Sequence, residues 1–166
     1  MNPRPPSGLR IWMGAVRPRT LSLAVSPVLA GSALAWAEGH GIDWSVLTAA
    51  LGAAVLIQAG TNLHNDVKDF EHGADHRATR VGPPRATAEG WLTAGQVRAG
   101  AYGCFLAAFL AGLHLVWVGG WVILVVGLAS IAAGLAYTGG PRPIAYTPLG
   151  ELFVWVFFGL VAVSGT

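Results

Sequence analysis

The sequence predicts an all-α protein, a transmembrane helical bundle of about five spans. Hydrophobic residues make up 54% of the 166 residues and charged residues only 11%, whereas soluble domains carry about 25% charged residues. The apolar residues also run in continuous stretches and do not alternate with polar ones. A helix satisfies its own backbone within one segment in lipid. Much of the exterior is therefore expected to contact membrane lipid.

Five apolar stretches are the predicted spans, each near the lower end of the 17–25 residues that cross about 30 Å of hydrocarbon. They are Leu21–Ala37, Trp44–Leu63, Ala99–Val118, Trp121–Tyr137 and Leu149–Val163. Small residues four apart, as in Ala99/Gly103 and Ser130/Gly134, favour close approach of neighbouring helices. The first stretch resembles a signal peptide, but Pro27 in its middle and four later spans favour a retained, kinked helix.

The positions of the basic residues predict the orientation in the membrane. All ten Lys and Arg residues fall before the first span, between the second and third, or between the fourth and fifth. The positive-inside rule then places the N-terminus in the cytoplasm, in a multi-pass protein of the cell inner (plasma) membrane. Residues 1–20 form a cytoplasmic segment with a short interfacial helix, and residues 21–166 form the membrane domain. The formal net charge of only +2 argues against a nucleic-acid partner.

A polar segment at the cytoplasmic end of the second span carries the strongest functional signal. If the helix continues, one face holds polar side chains at i, i+3, i+4 and i+7: Asn62, Asn65, Asp66 and Asp69. Carboxylates one turn apart repel, so the arrangement favours a bound cation, and Mg²⁺ fits because it joins carboxylates to substrate phosphates. Asp75 follows the expected helix end at Gly73 and would have to return through a turn. The alternative is an ordinary solvated helix end, which the polar face reaching back to Gln58 disfavours.

Two basic or aromatic turns lie on the same predicted side. After Asp75, a proline-stiffened loop carries Arg77, Arg80 and Arg85, which with Lys68 could neutralise a polyanion. Contact with anionic lipid headgroups is the alternative. The turn between the fourth and fifth spans carries Tyr137, Arg142 and Tyr146. Tyr137 could stabilise a carbocation through its ring face and Arg142 could contact a diphosphate, with interface anchoring as the alternative for both tyrosines.

These motifs together resemble the UbiA superfamily of intramembrane prenyltransferases. The resemblance is carried by Asn65-Asp66-x-x-Asp69 with Asp75 downstream, by residues 80–85, and by residues 137–143. Residues 17–21, 62–66 and 149–159 are similar to the 1,4-dihydroxy-2-naphthoate polyprenyltransferase branch of menaquinone biosynthesis. Nearly the whole chain, from Arg17 to Thr166, is covered.

The resemblance implies a bundle, usually of nine helices, around a lipid-facing cavity that holds a polyprenyl diphosphate. Mg²⁺ is the implied cofactor, held by Asp66, Asp69 and Asp75, while Asp66, Asp69, Arg85 and Tyr137 are the implied catalytic residues. Departure of the diphosphate would give an allylic cation that the naphthoate ring attacks with loss of carboxylate and a proton. The substrate-binding residues are expected to be Asn62, Asn65, Lys68, Arg77, Arg80, Arg142 and Tyr146.

The sequence departs from the family pattern because no second acidic motif follows within its 166 residues. A missing C-terminal half is therefore expected, in a truncated, split or degenerate protein, and we expect little turnover from the isolated chain. Alternative functions are another UbiA-type aromatic prenyltransferase and a non-catalytic, cation-binding membrane scaffold or carrier.

Overall fold

A computed structural model describes residues 7–73, 83–140 and 143–165, and these residues form a helical bundle. The helices are α1 (Gly8–Val16), α2 (Pro18–Ala37), α3 (Trp44–Glu71), α4 (Ala94–Gly119) and α5 (Trp121–Thr138). A 3₁₀ turn (Ile144–Tyr146) leads to α6 (Leu149–Val154), a π-helical stretch (Trp155–Val161) and α7 (Ala162–Ser164). The predicted helical fold class is confirmed.

Four helices, α2 to α5, are long and apolar enough to cross a membrane. The fifth predicted span corresponds to the shorter apolar helix Leu149–Ser164, which its π-helical stretch interrupts. Gly120 separates α4 from α5. It adopts φ +77°, a conformation that L side chains rarely adopt. Consecutive long helices therefore run up and down, with short turns at one end of the bundle.

The buried core lies at the opposite end from these short turns. Leu63 and Val67 of α3 pack with Val97 and Ala101 of α4, and α1 covers this cluster with Ile11 and Ala15. The helix predicted before the first span is thus present, and Trp12 and Val16 also pack on the core, while Leu9 and Met13 are exposed. The packing of α3 against α4 is the most extensive between helices.

Exposed tryptophans mark the other end of the bundle. They are Trp36, Trp44, Trp117 and Trp121, each at least 64% exposed. Trp44 and Trp121 begin α3 and α5, and Trp36 and Trp117 lie within two residues of the ends of α2 and α4. Because tryptophan is enriched where lipid meets water, this ring of side chains is consistent with one membrane interface. The candidate site described next lies at the core end.

Candidate active site

Helix α3 runs without interruption from the tryptophan end to the polar end. Asp43 caps its start, since Oδ1 accepts hydrogen bonds from the backbone N–H groups of Ser45 (2.8 Å) and Val46 (3.2 Å). The Ser45 hydroxyl and these two amides hold the pKa of Asp43 below its usual value. The helix ends at Glu71, before Gly73 at φ +68°. The predicted shared face of Asn62, Asn65, Asp66 and Asp69 therefore exists.

Asp66 is buried at the polar end of α3, with 1% of its surface exposed. Its Oδ2 accepts a hydrogen bond from the backbone N–H of Ala86 (3.2 Å), and its Oδ1 accepts one from Thr87 (3.3 Å). A buried carboxylate is costly unless it is hydrogen-bonded. Asp66 thereby anchors the segment before α4 to the end of α3.

Asp69 lies one turn further and contacts the same segment. Arg85 Nη2 donates to Asp69 Oδ2 at 2.8 Å, and the Tyr146 hydroxyl donates to Asp69 Oδ1. Partial burial raises the pKa of Tyr146, and the hydrogen bond and charge of Asp69 raise it further. The hydroxyl therefore stays protonated and remains a donor. Three separate parts of the chain meet at one carboxylate.

The two predicted asparagines are buried and bonded to other helices. Asn62 Nδ2 donates to the backbone oxygen of Val16 (2.7 Å) and to the Thr20 hydroxyl (2.8 Å), which joins α3 to the α1–α2 junction. Asn65 Oδ1 accepts a hydrogen bond from Thr138 at the end of α5. Both side chains therefore hold neighbouring helices in position around the polar end of α3.

Lys68, a further predicted site residue, forms its ion pair with a residue outside this cluster. Its Nζ pairs with Glu71 Oε2 at 2.8 Å on the same helix, and Glu71 also pairs with Arg98 of α4. All three side chains are partly exposed, so these pairs contribute little to stability.

An apolar cavity of about 360 Å³ lies between α2, α3, α4, α5 and the last apolar helix. Its wall is formed mainly by Ala, Val, Leu, Ile and Phe side chains, and Tyr137 stacks there on Phe153, with ring centroids 6.0 Å apart. Its polar lining includes Arg17, Thr20, Gln58, Thr61, Asn62 and Asn65. An apolar chamber with a polar end suits a ligand that has a lipid tail and a polar head.

Sequence reasoning did not select Arg17 or Gln58 as site residues. Arg17 has φ +56° and is the one non-glycine residue with positive φ in the described parts of the chain. Such a conformation costs about 1–2 kcal/mol for an L-residue. The sequence feature that could have identified Arg17 is its place directly before Pro18, at a predicted helix boundary. A residue before proline is disfavoured in the helical region, so an unusual backbone conformation is expected there. Gln58 is 6% exposed. A polar side chain inside a predicted span is the feature that could have identified it as a site residue.

Four predicted site residues lie outside the described residues: Asp75, Arg77, Arg80 and Arg142. The structure brings together Asp66, Asp69, Arg85 and Tyr146, and it places Asn62, Asn65 and Tyr137 on the adjoining cavity. Within residues 7–73, 83–140 and 143–165, no group of three or more His, Cys, Asp or Glu side chains gathers at a metal-binding distance.

The donor chemistry at this site nevertheless fits magnesium. Asp66 and Asp69 lie one turn apart and contact the same segment, at Ala86 and Arg85 respectively. Each carboxylate oxygen has a second lone pair beyond its present hydrogen bond. Mg²⁺ prefers such oxygen ligands and commonly uses only one or two protein carboxylates, with waters and phosphates completing its shell.

Comparison with known proteins identifies the family. The model of the UbiA prenyltransferase family matches residues 24–166. The chain belongs to this family. Its relatives include three proteins named 1,4-dihydroxy-2-naphthoate octaprenyltransferase, so the predicted resemblance is confirmed.

These relatives come from three bacteria. The protein of Mycobacterium tuberculosis is 40% identical over 93% of this chain and 52% of its own length. The Escherichia coli protein is 37% identical over 96% of this chain and 53% of its own length. The Haemophilus influenzae protein is 34% identical over 95% of this chain and 53% of its own length. The chain thus spans about half the length of the curated relatives it matches. No solved structure gives a significant match.

Proposed function

We propose that this UbiA-family chain takes part in transferring a polyprenyl group from a polyprenyl diphosphate to 1,4-dihydroxy-2-naphthoate, a step of menaquinone biosynthesis. The names of the relatives support this reaction. The structural observation that carries it is the Asp66–Asp69 pair beside the polar end of an apolar cavity. This arrangement matches a donor with an anionic head and an apolar tail.

The diphosphate head is assigned to the acidic end of α3. Asp66 and Asp69, together with Asp75, would hold Mg²⁺, which when bound supplies positive charge to the departing diphosphate. Arg85 already lies 2.8 Å from Asp69, so its guanidinium can pair with a phosphate oxygen beside that carboxylate. Lys68, Arg77, Arg80 and Arg142 are further proposed phosphate ligands, and Asn62, Asn65 and Tyr146 are proposed to orient the head group.

The apolar cavity is assigned to the reacting carbon and the prenyl chain. An allylic cation is destroyed by water, and an apolar wall excludes water from it. The Tyr137 ring lines this wall and can stabilise positive charge through its face. A ring carbon of the aromatic acceptor forms a bond to the cation, its carboxyl group leaves as carbon dioxide and a proton, and the electron pair of the broken ring–carboxyl bond restores the aromatic ring.

We propose the complete activity for a protein as long as these relatives. Those proteins are about twice as long as this chain, and we propose a C-terminal half with a second acidic motif as the partner of these residues. The proposed location is the inner (plasma) membrane, with the polar end of the bundle in the cytoplasm.

The decisive experiment measures binding of farnesyl diphosphate to the purified chain in detergent, with and without Mg²⁺. We expect Mg²⁺-dependent binding by the parent and a loss of about tenfold or more in Asp69→Asn, because one charged ligand is removed. Asp43→Asn is the matched control, since Asp43 caps the far end of the same helix. Equal binding by the parent and Asp69→Asn, or binding indifferent to Mg²⁺, would overturn the proposal and favour a scaffold without chemistry.

A further inference from the structure

Arg17 introduces a positive charge into the wall of the apolar cavity. Among the described residues that line it, Arg17 is the one with an ionised side chain at neutral pH. The acidic cluster lies beside this cavity, and Asp66, Asp69 and Arg85 are not among the residues of its wall. The described part of the site therefore has two polar regions, one acidic on α3 and one cationic at the α1–α2 junction.

The backbone at Arg17 is unfavourable for any residue except glycine or asparagine. Arg17 ends α1 in the left-handed conformation and directly precedes Pro18, the first residue of α2. Glycine is the usual residue at such a helix end because it has no Cβ. The turn alone gives no reason for arginine, and strained residues concentrate where a side chain serves a ligand.

The junction that presents Arg17 is held firmly. The Asn62 side chain donates hydrogen bonds on both sides of Arg17. One goes to the carbonyl of Val16, which precedes Arg17, and the other goes to the hydroxyl of Thr20, three positions after Arg17. Asn62 Oδ1 in turn accepts a hydrogen bond from Gln58 Nε2 at 3.4 Å. This chain of contacts fixes the position of the Arg17 backbone relative to α3.

A second observation at the same cavity points to a polar ligand. The carboxamide oxygen of Gln58 is buried and has no hydrogen-bond partner among the described residues, although Gln58 lines the cavity. An unsatisfied buried acceptor is unfavourable. A hydroxyl group brought into the cavity would supply the missing donor.

We propose that Arg17 binds the carboxylate of the aromatic acceptor and so selects an acceptor with a ring carboxylate. The inference rests on the proposed function, which supplies the acceptor class. An arginine fork pairs with a carboxylate through two hydrogen bonds, and the apolar wall strengthens that attraction. Gln58 supplies a hydrogen-bond acceptor for a ring hydroxyl. The donor diphosphate is held by the acidic cluster, so the two anions occupy separate regions.

The test compares two ligands on the full 166-residue chain in detergent, under nitrogen. One ligand is 1,4-dihydroxy-2-naphthoate, and the other is 1,4-naphthalenediol, which lacks the carboxylate. We expect Arg17→Gly to weaken binding of the naphthoate about tenfold and to leave binding of the diol nearly unchanged. Arg17→Lys, which keeps the charge without the fork, should weaken naphthoate binding less.

Thermal unfolding of the same variants separates binding from folding. Arg17→Gly relieves the left-handed strain, so its Tm should stay equal or rise. Ser26→Ala is the matched control outside the wall of this cavity, because the Ser26 hydroxyl already donates to the Ser22 carbonyl on its own helix. That variant should bind both ligands as the parent does.

The outcomes distinguish this inference from the proposed function. If the parent binds the naphthoate and Arg17→Gly binds it equally well, Arg17 is not the carboxylate ligand and the proposed function stands. If Arg17→Gly loses farnesyl diphosphate and keeps the naphthoate, Arg17 belongs to the donor site and the inference is wrong. If the parent binds neither the naphthoate nor the diol, the proposed acceptor class is wrong and the inference is overturned with it.

Discussion

Asp66 and Asp69 are identical side chains one helical turn apart, yet they have different surroundings. Asp66 is 1% exposed and bonded to backbone amides, so its carboxylate is part of the folded framework. Asp69 is partly exposed and bonded to side chains, those of Arg85 and Tyr146. Side-chain partners can rearrange around a ligand more readily than the backbone can. Asp69 is therefore the better position for separating ligand binding from folding.

We predict that Asp66→Asn destabilises the protein by about 1–3 kcal/mol, because an amide offers one acceptor oxygen where the carboxylate uses two and leaves a buried N–H unpaired. Chemical unfolding in detergent measures this difference. Asp43→Asn is the control: Asp43 caps α3 through Oδ1 alone, and asparagine caps a helix as well as aspartate. Equal stability of Asp66→Asn and Asp43→Asn would contradict the framework role.

At the scale of elements, the close approach of α5 to α3 depends on Gly134. A Cβ built there would clash with Thr61 Oγ1 and lie 3.5 Å from the Phe105 ring. The sequence predicted such contacts at Gly134 and also at Gly103. At Gly103 a Cβ would meet nothing within 4 Å among the described residues, so the predicted close approach is not seen there within them. A spacing of four places small residues on one face, but it does not determine which face meets a neighbouring helix.

We predict that Gly134→Ala destabilises the bundle by about 1–3 kcal/mol, since the added methyl group forces α3 and α5 apart. Gly127→Ala, two turns earlier on α5, is the matched control, because a Cβ there meets nothing within 4 Å in the part of the chain that the structure describes. Alanine should be neutral or stabilising at Gly127 by up to about 1 kcal/mol. Thermal unfolding of both variants in one detergent compares them directly, and equal Tm values would refute the close contact.

For the whole molecule, hydropathy and polar spacing predicted the helices and the shared face of α3, because both patterns are local. The partners of that face could not be predicted in the same way. Asn62 bonds to a residue 46 positions earlier, and Asn65 to Thr138, 73 positions later. Such contacts depend on how helices pack, which no local pattern specifies. The strain at Arg17 is likewise a result of two helices meeting at a turn.

The orientation of the bundle in the membrane remains a prediction, and two exposed histidines can test it. His40 lies in the turn between α2 and α3, and His72 lies just beyond the other end of α3. The positive-inside rule places His72 in the cytoplasm, because every Lys and Arg lies at its end of the spans.

In a Cys104→Ala background, which removes the one native cysteine, His40→Cys and His72→Cys each carry a single thiol. A membrane-impermeant maleimide applied to intact spheroplasts should label His40→Cys and spare His72→Cys, and inverted membrane vesicles should give the reverse. Detergent should expose both thiols equally, which controls for intrinsic reactivity. Labelling of His72→Cys from outside would invert the topology and place the aspartates of α3 on the side opposite to the one proposed for the diphosphate.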